Sequence, residues 1–383
     1  MTHFKFRIII ISIFFIGLIS FPSINNTLKL VKDAKNSENR KMASKPIFDL
    51  NSVELFPSLY EKFYNDNFSL RSIMVRFYNL INLNFYEKSV ISEVIIGKKN
   101  WLFMNNENDA YKGKNQLNKS ELEAFKKEFE YRKDYLNSRG CKFYVLIAPV
   151  KASIYSEYMP SNMFKIVRQS WGEQLTEYLN ENSEVKPINV YNVLRKNKNN
   201  GLLYYMLDNH WNQLGAFCAA NEVLNQLQVD FSELSPMPLK NFNITKAETT
   251  DGNIVKMLAT NETFKDTVYK LVPKLGFKAI DVPKVGYPIV AGFAYQYEQN
   301  KEIKKAKKPK LLVISDSFGI NIFPFLAENF SRSVKIFDAW QYKLNEDIVE
   351  AEKPNVVLLI VLESKIRLLL KYQSRLKKKN SVE

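Results

Sequence analysis

The sequence predicts an α/β protein, a parallel sheet flanked by helices, preceded by an N-terminal membrane anchor helix. Three observations lead there. Short aliphatic runs alternate with longer stretches of helical periodicity, the pattern of a parallel sheet covered on both faces. The runs at 143–148, 311–314 and 356–361 are almost wholly apolar, as strands buried on both sides require. Lys5 and Arg7 precede a predominantly apolar stretch over 8–21, the layout of an export signal.

That stretch is short for a bilayer, which takes ~17–25 apolar residues, but Pro22, Ser23 and Ile24 extend it. No clear small-x-small cleavage site follows, so residues 1–24 read as an uncleaved signal anchor with the remainder exported; a cleaved signal peptide leads to the same export. Residues 25–50 read as a polar linker and 51–370 as the main domain, with an irregular, lysine-rich insertion at about 236–308. Residues 371–383 are a basic tail.

Within the domain, Leu59, Phe63, Ile73, Phe77 and Leu80 recur at helical spacing between 52 and 83. Gly97 to Phe103 reads as a turn feeding a short strand. Residues 120–139 form an amphipathic helix, with Ser120 suited to the N-cap, Glu123 at the capping-box position and Gly140 as its stop. The strand 143–148 ends at Pro149. A helix over 169–180, a short strand at 188–190 and a strand at 202–207 follow, the last leading into a helix over 212–227. After the lysine-rich stretch come the strand 311–314, a turn carrying Ser317, a helix at about 320–329, and strands at 334–337 and 356–361.

A chain of 383 residues that is 46% hydrophobic can bury a large core, so a disordered chain is excluded. Its net charge of +15 raises nucleic acid as a partner. The lysines are scattered, however, and neither zinc-finger spacing nor an aromatic RNA-binding motif accompanies them, so a solvated basic surface is expected and no nucleic acid. Attraction to an acidic polysaccharide or lipid headgroups stays open. Cys141 and Cys218 lack metal-ligand spacing, so no metal site is expected, and the sequence leaves open whether they pair.

Two distant segments carry chemistry: Asp208-Asn209-His210-Trp211 and Ser315-Asp316-Ser317-Phe318-Gly319. The other histidine is His3, ahead of the apolar segment, so His210 is the realistic base. Asp208, two residues earlier, can orient its ring if the backbone there is extended. Ser317 stands between an apolar strand and a helix, exposed at the carboxyl edge of a sheet, where N–H groups of the helix N-terminus could hold an oxyanion. A serine there can instead be a simple helix cap, and Trp211 core packing. Acid, base and hydroxyl together are the parts of acyl transfer through a serine.

Asp208-x-His210-Trp211-Asn212 with Gly215-Ala216 resembles the D-x-H-W-n-x-x-G-A signature of the alginate O-acetyltransferase group and its DHHW relatives. Pro149-Val150-Lys151 through Tyr155, Glu157, Tyr158 and Pro160 resembles that family's P-x-K…Y-p-E-y-l-P stretch, and Gly97 to Phe103 its G-K-d-g-W-L-F turn. Glu38-Asn39-Arg40, Asn65 to Phe68 with Arg71, and Asp251-Gly252-Asn253 with Met257-Leu258 are softer matches. The resemblance runs from about residue 38 to 365. It implies an SGNH-hydrolase-like fold with the motifs in permuted order, Ser317 as nucleophile, His210 as base and Asp208 as its orienting acid. Asn209 stands where the signature often has a second histidine. Its side chain is expected to point away from Asp208 and His210. The chain ends soon after its last strand, like members without an appended carbohydrate-binding module.

The expectation is an exported, membrane-anchored enzyme that moves acetyl groups onto the hydroxyls of a polysaccharide acceptor. By resemblance, a membrane-bound acyltransferase supplies the acetyl group. No cofactor is called for: no phosphate-cradling glycine loop is present. Lys151, Tyr155 and Trp211 are candidate substrate-binding residues, Lys151 for an acidic sugar, with a salt bridge and core packing as the alternatives. Glu363 ranks below them as a supporting residue. The rival readings are a carbohydrate acetylesterase with the same triad and a non-catalytic glycan-binding scaffold.

Overall fold

The apolar runs become three of the four parallel strands of a six-stranded sheet in the computed structural model, which describes residues 2–32, 42–86, 91–258, 263–287, 297–304, 306–337 and 340–373. Glu38-Asn39-Arg40 and the tail lysines 377–379 lie outside the described residues. Two units are distinguished, residues 1–94 with 251–264, and residues 95–250 with 265–383.

The described part of the first unit is helical: α1 (Thr2–Leu28), α2 (Phe56–Asn67), α3 (Arg71–Tyr86) and, in the 251–264 segment, α10 (Asn253–Met257). The apolar span of α1 is Phe6–Leu28, 23 residues with mean hydropathy 2.2. At ~1.5 Å per residue it is long enough to cross a membrane. The helix thus continues four residues into the expected linker. Asn79 Nδ2 donates to Leu258 O at 2.6 Å, tying α3 to the end of α10.

The second unit starts at Ile95, within β1 (Val94–Ile96), and continues with β2 (Leu102–Met104) and α4 (Asn108–Lys112), followed by α5 (Lys119–Asn137) and β3 (Lys142–Ala148). Then come α6 (Lys151–Ile154), α7 (Trp171–Asn182), α8 (Tyr191–Asn197) and α9 (Gln213–Leu227). Strands β4 (Phe242–Thr249), β5 (Asp266–Pro273), β6 (Ile280–Val282) and β7 (Tyr297–Glu302) follow. The chain closes with β8 (Lys310–Ser315), α11 (Gly319–Ala327), β9 (Arg332–Phe337), α12 (Glu346–Glu352), β10 (Val356–Leu362) and α13 (Ile366–Lys371).

The sheet order is β3-β10-β8-β9-β7-β6. The first four strands are parallel; β7 pairs antiparallel with β9, and β6 with β7. β10 lies in the middle and is buried at every position. Alternation along the strands splits the core in two. Leu146, Val313, Leu358 and Ile360 pack on one face with Phe217 of α9 and Phe323 of α11. Val145, Ile314, Leu359 and Val361 pack on the other with Phe125 and Phe129 of α5 and Leu175 of α7. Each such side chain contributes ~1.5–3 kcal/mol on burial. The expected α/β class therefore holds, with an antiparallel edge added from within 236–308.

Three local expectations are corrected. The α5 cap is Asn118, with Glu121 completing the capping box, because Asn118 is the residue that leaves the helical conformation. Residues 188–190 contribute a single bridge, Ile188 to Leu146, and 202–207 another, Tyr204 to Trp211. The segment before His210 is thus a loop without a strand under it.

Candidate functional site

The turn after β8 presents Ser317, and its geometry follows from Asp316. That carboxylate is buried and accepts from Phe318 N at 2.8 Å, Tyr342 Oη at 2.7 Å and Leu362 N at 2.8 Å. It thereby bolts the turn to the end of β10 and to the segment after β9. Burial pushes its pKa up, against the Tyr342, Leu362 and Phe318 donors that favour the ion. Gly319 is required by close approach: a Cβ there would come within 2.0 Å of Ser315 Oγ. Phe318 N–H and Gly319 N–H are both taken by Asp316 and Ile320 N–H by Ser317 O, so the first turn of α11 is not the open anion cradle expected. Among the described residues none accepts from Ser317's own N–H.

The loop before α9 carries Asp208 and His210, and each residue of the motif has a mechanical task. Asn212 caps α9, its Oδ1 accepting from Leu214 N at 2.9 Å and Gly215 N at 3.1 Å. Gly215 lets the helix reach the Leu203 carbonyl, which a Cβ would meet at 2.1 Å. Trp211 is fully buried, and its Nε1–H donates to Phe318 O at 3.0 Å. Asn321 of α11 donates back to Trp211 O at 2.9 Å. These two bonds lock the loop to Phe318, the residue after Ser317, and to the first turn of α11.

The three side chains then fall into line. His210 Nε2 lies 2.7 Å from Ser317 Oγ, and its Nδ1 lies 2.6 Å from Asp208 Oδ1. The same Asp208 oxygen accepts from His210 N at 3.0 Å. A carboxylate can only accept, so the proton sits on Nδ1 and Nε2 is free to take one from the serine. Burial alone would lower the His210 pKa. The hydrogen bond and charge of Asp208, with Glu107 and Asp316 adding, hold it above 6.5 instead. The side chains of His210 and Asp208 are 22% and 21% exposed, so a substrate can reach the pair.

Of the three residues expected to touch substrate, none faces solvent. Lys151 is buried, its Nζ donating to the carbonyls of Tyr205 and Met206 at 3.0 Å and Asp208 at 2.8 Å. It lies over the rings of Trp101 and Phe103, which accounts for the Gly97–Phe103 motif. Burial lowers its pKa to about 7. Tyr155 is buried, its hydroxyl accepting from Leu203 N at 2.9 Å. In place of sugar contacts, Lys151, Tyr155 and Trp211 shape the His210 loop from beneath. Glu363 is fully buried and takes Val150 N, Ser153, Ser170, Gly172 N and Tyr191, joining β10 to α6, α7 and α8.

Two further carboxylates that hold the loop were not singled out by sequence. Asp266 of β5 accepts from Met206 N at 2.7 Å and Leu207 N at 3.2 Å. Glu107 is buried and accepts from Asn209 Nδ2 at 2.6 Å, which accounts for the side chain between Asp208 and His210. Burial raises the Glu107 pKa to about 7 against the Asn209 bond and the charges of His210 and Lys151. Neither carries a local pattern in the sequence.

Comparison with known proteins gives this geometry its setting. Residues 94–335, which hold Asp208, His210 and Ser317, match the family described as "SGNH hydrolase-like domain, acetyltransferase AlgX". The match covers well over half of the chain, and the chain belongs to that family. The probable alginate O-acetylase AlgJ of Pseudomonas aeruginosa is 22% identical over 211 residues, 54% of this chain and 51% of the relative. The chain thus spans about half the length of that curated relative. The structure of Bacillus cereus PatB1 with a sulfonyl adduct superposes with a TM-score of 0.52 at 18% identity, covering 73% of this chain and all of that one, a likeness of fold. The O-acetyltransferase domain of Pseudomonas putida AlgJ gives a TM-score of 0.46 at 17% identity, over 71% of this chain and 91% of that one.

Proposed function

As a member of this family the chain is, we propose, an exported polysaccharide O-acetyltransferase that works through Ser317, His210 and Asp208. The observation that carries the reading is the unbroken relay from Asp208 Oδ1 through His210 to Ser317 Oγ, at 2.6 and 2.7 Å. His210 Nε2 takes the Ser317 proton as Oγ attacks the carbonyl carbon of an acetyl donor. The oxyanion accepts from Ser317 N–H. As the tetrahedral intermediate collapses, the bond to the donor's leaving group breaks, and that group leaves with the proton from His210. A sugar hydroxyl then gives its proton to His210 and attacks the acetyl-serine; as this second tetrahedral intermediate collapses, the acetyl–Oγ bond breaks and His210 returns the proton to Oγ, which releases the O-acetylated sugar and free Ser317. Asp208 steadies the imidazolium formed in each half.

α1 anchors the chain, with the domain on the extracytoplasmic side of the cell membrane. The acetyl supplier is a membrane-bound acyltransferase, and the acceptor a polysaccharide. Residues 29–50 link the anchor to the catalytic domain, 51–370, and the basic tail follows. No cofactor enters these steps.

The test uses the full chain in detergent micelles with an activated acetyl ester, with and without oligosaccharide. Acetate release, acetyl-protein mass and acetylated sugar are followed for wild type, Ser317→Ala and His210→Ala. Loss of all three signals in both variants is expected. Activity surviving in Ser317→Ala would sink the reading, and acetate release with no sugar acetylation would make the protein an esterase.

A further inference from the structure

Four parallel strands end at one edge of the sheet, the place where open α/β sheets bind ligands. The segments beyond the four strand ends differ in character. β3 leads to Lys151 and β10 to Glu363, both buried and saturated with hydrogen bonds. β8 leads to Ser317. β9 leads to the segment 340–342. The segment 340–342 reaches the Ser317 turn through Tyr342, whose Oη bonds to Asp316, the residue before Ser317.

Trp340 differs from the two aromatic residues that hold the turn and the loop together. It is 37% exposed, whereas Trp211 and Phe318 are fully buried. Its backbone is also unusual. Trp340 has φ +61° and Tyr342 φ +52°, left-handed conformations that bulky side chains avoid. Such strain persists only where the surroundings impose it. Here they do: Tyr342 Oη donates to Asp316 Oδ2 at 2.7 Å, and Arg132 Nη1, itself buried, donates to Tyr342 O at 2.7 Å. The carboxylate that positions the Ser317 turn therefore also pins the strained segment. Phe337 meets the Trp340 ring edge-on, with centroids 5.2 Å apart, and gives it a second support.

We propose that Trp340 is the platform on which a pyranose ring of the acceptor stacks, one subsite away from the hydroxyl that meets Ser317. The inference rests on the acetyl-transfer reading and names how that site holds its acceptor. A sugar offers one face of C–H groups, and an indole held by its neighbours covers that face with little loss of side-chain freedom. The acetyl group, by contrast, is too small to need such a surface.

Binding and chemistry can be tested apart. The full chain carrying Ser317→Ala, in detergent micelles, is titrated with an alginate hexasaccharide and with cellohexaose, following tryptophan fluorescence and calorimetric heat. Adding Trp340→Ala is expected to weaken binding of at least one probe about 10-fold. Adding Trp340→Phe is expected to keep most of the affinity while abolishing the fluorescence change. In protein with Ser317 intact, Trp340→Ala lowers the ratio of sugar acetylation to acetate release, and Trp340→Tyr restores it. Equal affinity in Trp340→Ala, equal losses in Trp340→Ala and Trp340→Phe, or no binding of either probe by the Ser317→Ala protein would each overturn the platform. Acetyl transfer surviving in Ser317→Ala would instead overturn the catalytic reading, and the titration would still report on Trp340.

Discussion

The Ser317 turn and the His210 loop meet at 2.7 Å, yet they are built in opposite ways. The turn hangs from a central strand of the sheet and needs one carboxylate, Asp316, whose three bonds reach β10, Tyr342 and its own turn. The loop has no strand beneath it. Lys151, Asp266 and Glu107, from three separate elements, grip its carbonyls, its N–H groups and Asn209. A strand positions a side chain through its regular ladder. A loop must have each exposed backbone group satisfied singly, and in a buried place charged side chains do it most strongly.

The comparison can be broken at several points. Asp208→Asn should have the largest effect, a fall on the order of 10³-fold in acetyl transfer, since the wrong tautomer is then favoured. With the Asp208 charge gone, burial is opposed only by the charges of Glu107 and Asp316, so the inflection in the pH–rate profile should move down. An unmoved inflection would mean that Asp208 does not tune His210. Asp316→Ala tests the turn. It leaves Tyr342 Oη and Leu362 N–H without their partner, and should cost about 3 kcal/mol in denaturant titrations as well as activity.

Glu107→Gln tests the loop and should act in the other direction. The pKa of Glu107 is raised by folding, from 4.5 to about 7, so its contribution to stability is fully present below 4.5 and is lost as pH rises to about 7. The amide keeps the acceptor for Asn209 without the charge. The variant should therefore gain on wild type as pH climbs, by about 1–3 kcal/mol at pH 8, read from melting curves at several pH values. A constant offset from pH 4 to 8 would refute a buried, titrating Glu107. The smallest expected effect is that of Asn212→Ala, about 1 kcal/mol for the lost cap of α9. Acetyl transfer should fall with it only as far as the Trp211 contacts loosen.

The parts that repeat locally were legible from the chain alone. Strand burial, the strand-turn-helix around Ser317 and the pairing of Asp208 with His210 all arise from residues within a few positions of one another, so periodicity and spacing disclose them. The sequence misplaced what depends on competition between near neighbours, as with Asn118 taking the α5 cap from Ser120. It could not separate a lysine at a strand end that meets solvent from one that is buried, and so Lys151 looked like a sugar contact. Only the tertiary structure decided that, because Lys151 finds its three carbonyls more than fifty residues away. The same holds for Glu107, Asp266 and the bond from Tyr342 to Asp316. Each is one charge or hydroxyl meeting one distant partner, and a single contact of that kind leaves no period in the chain.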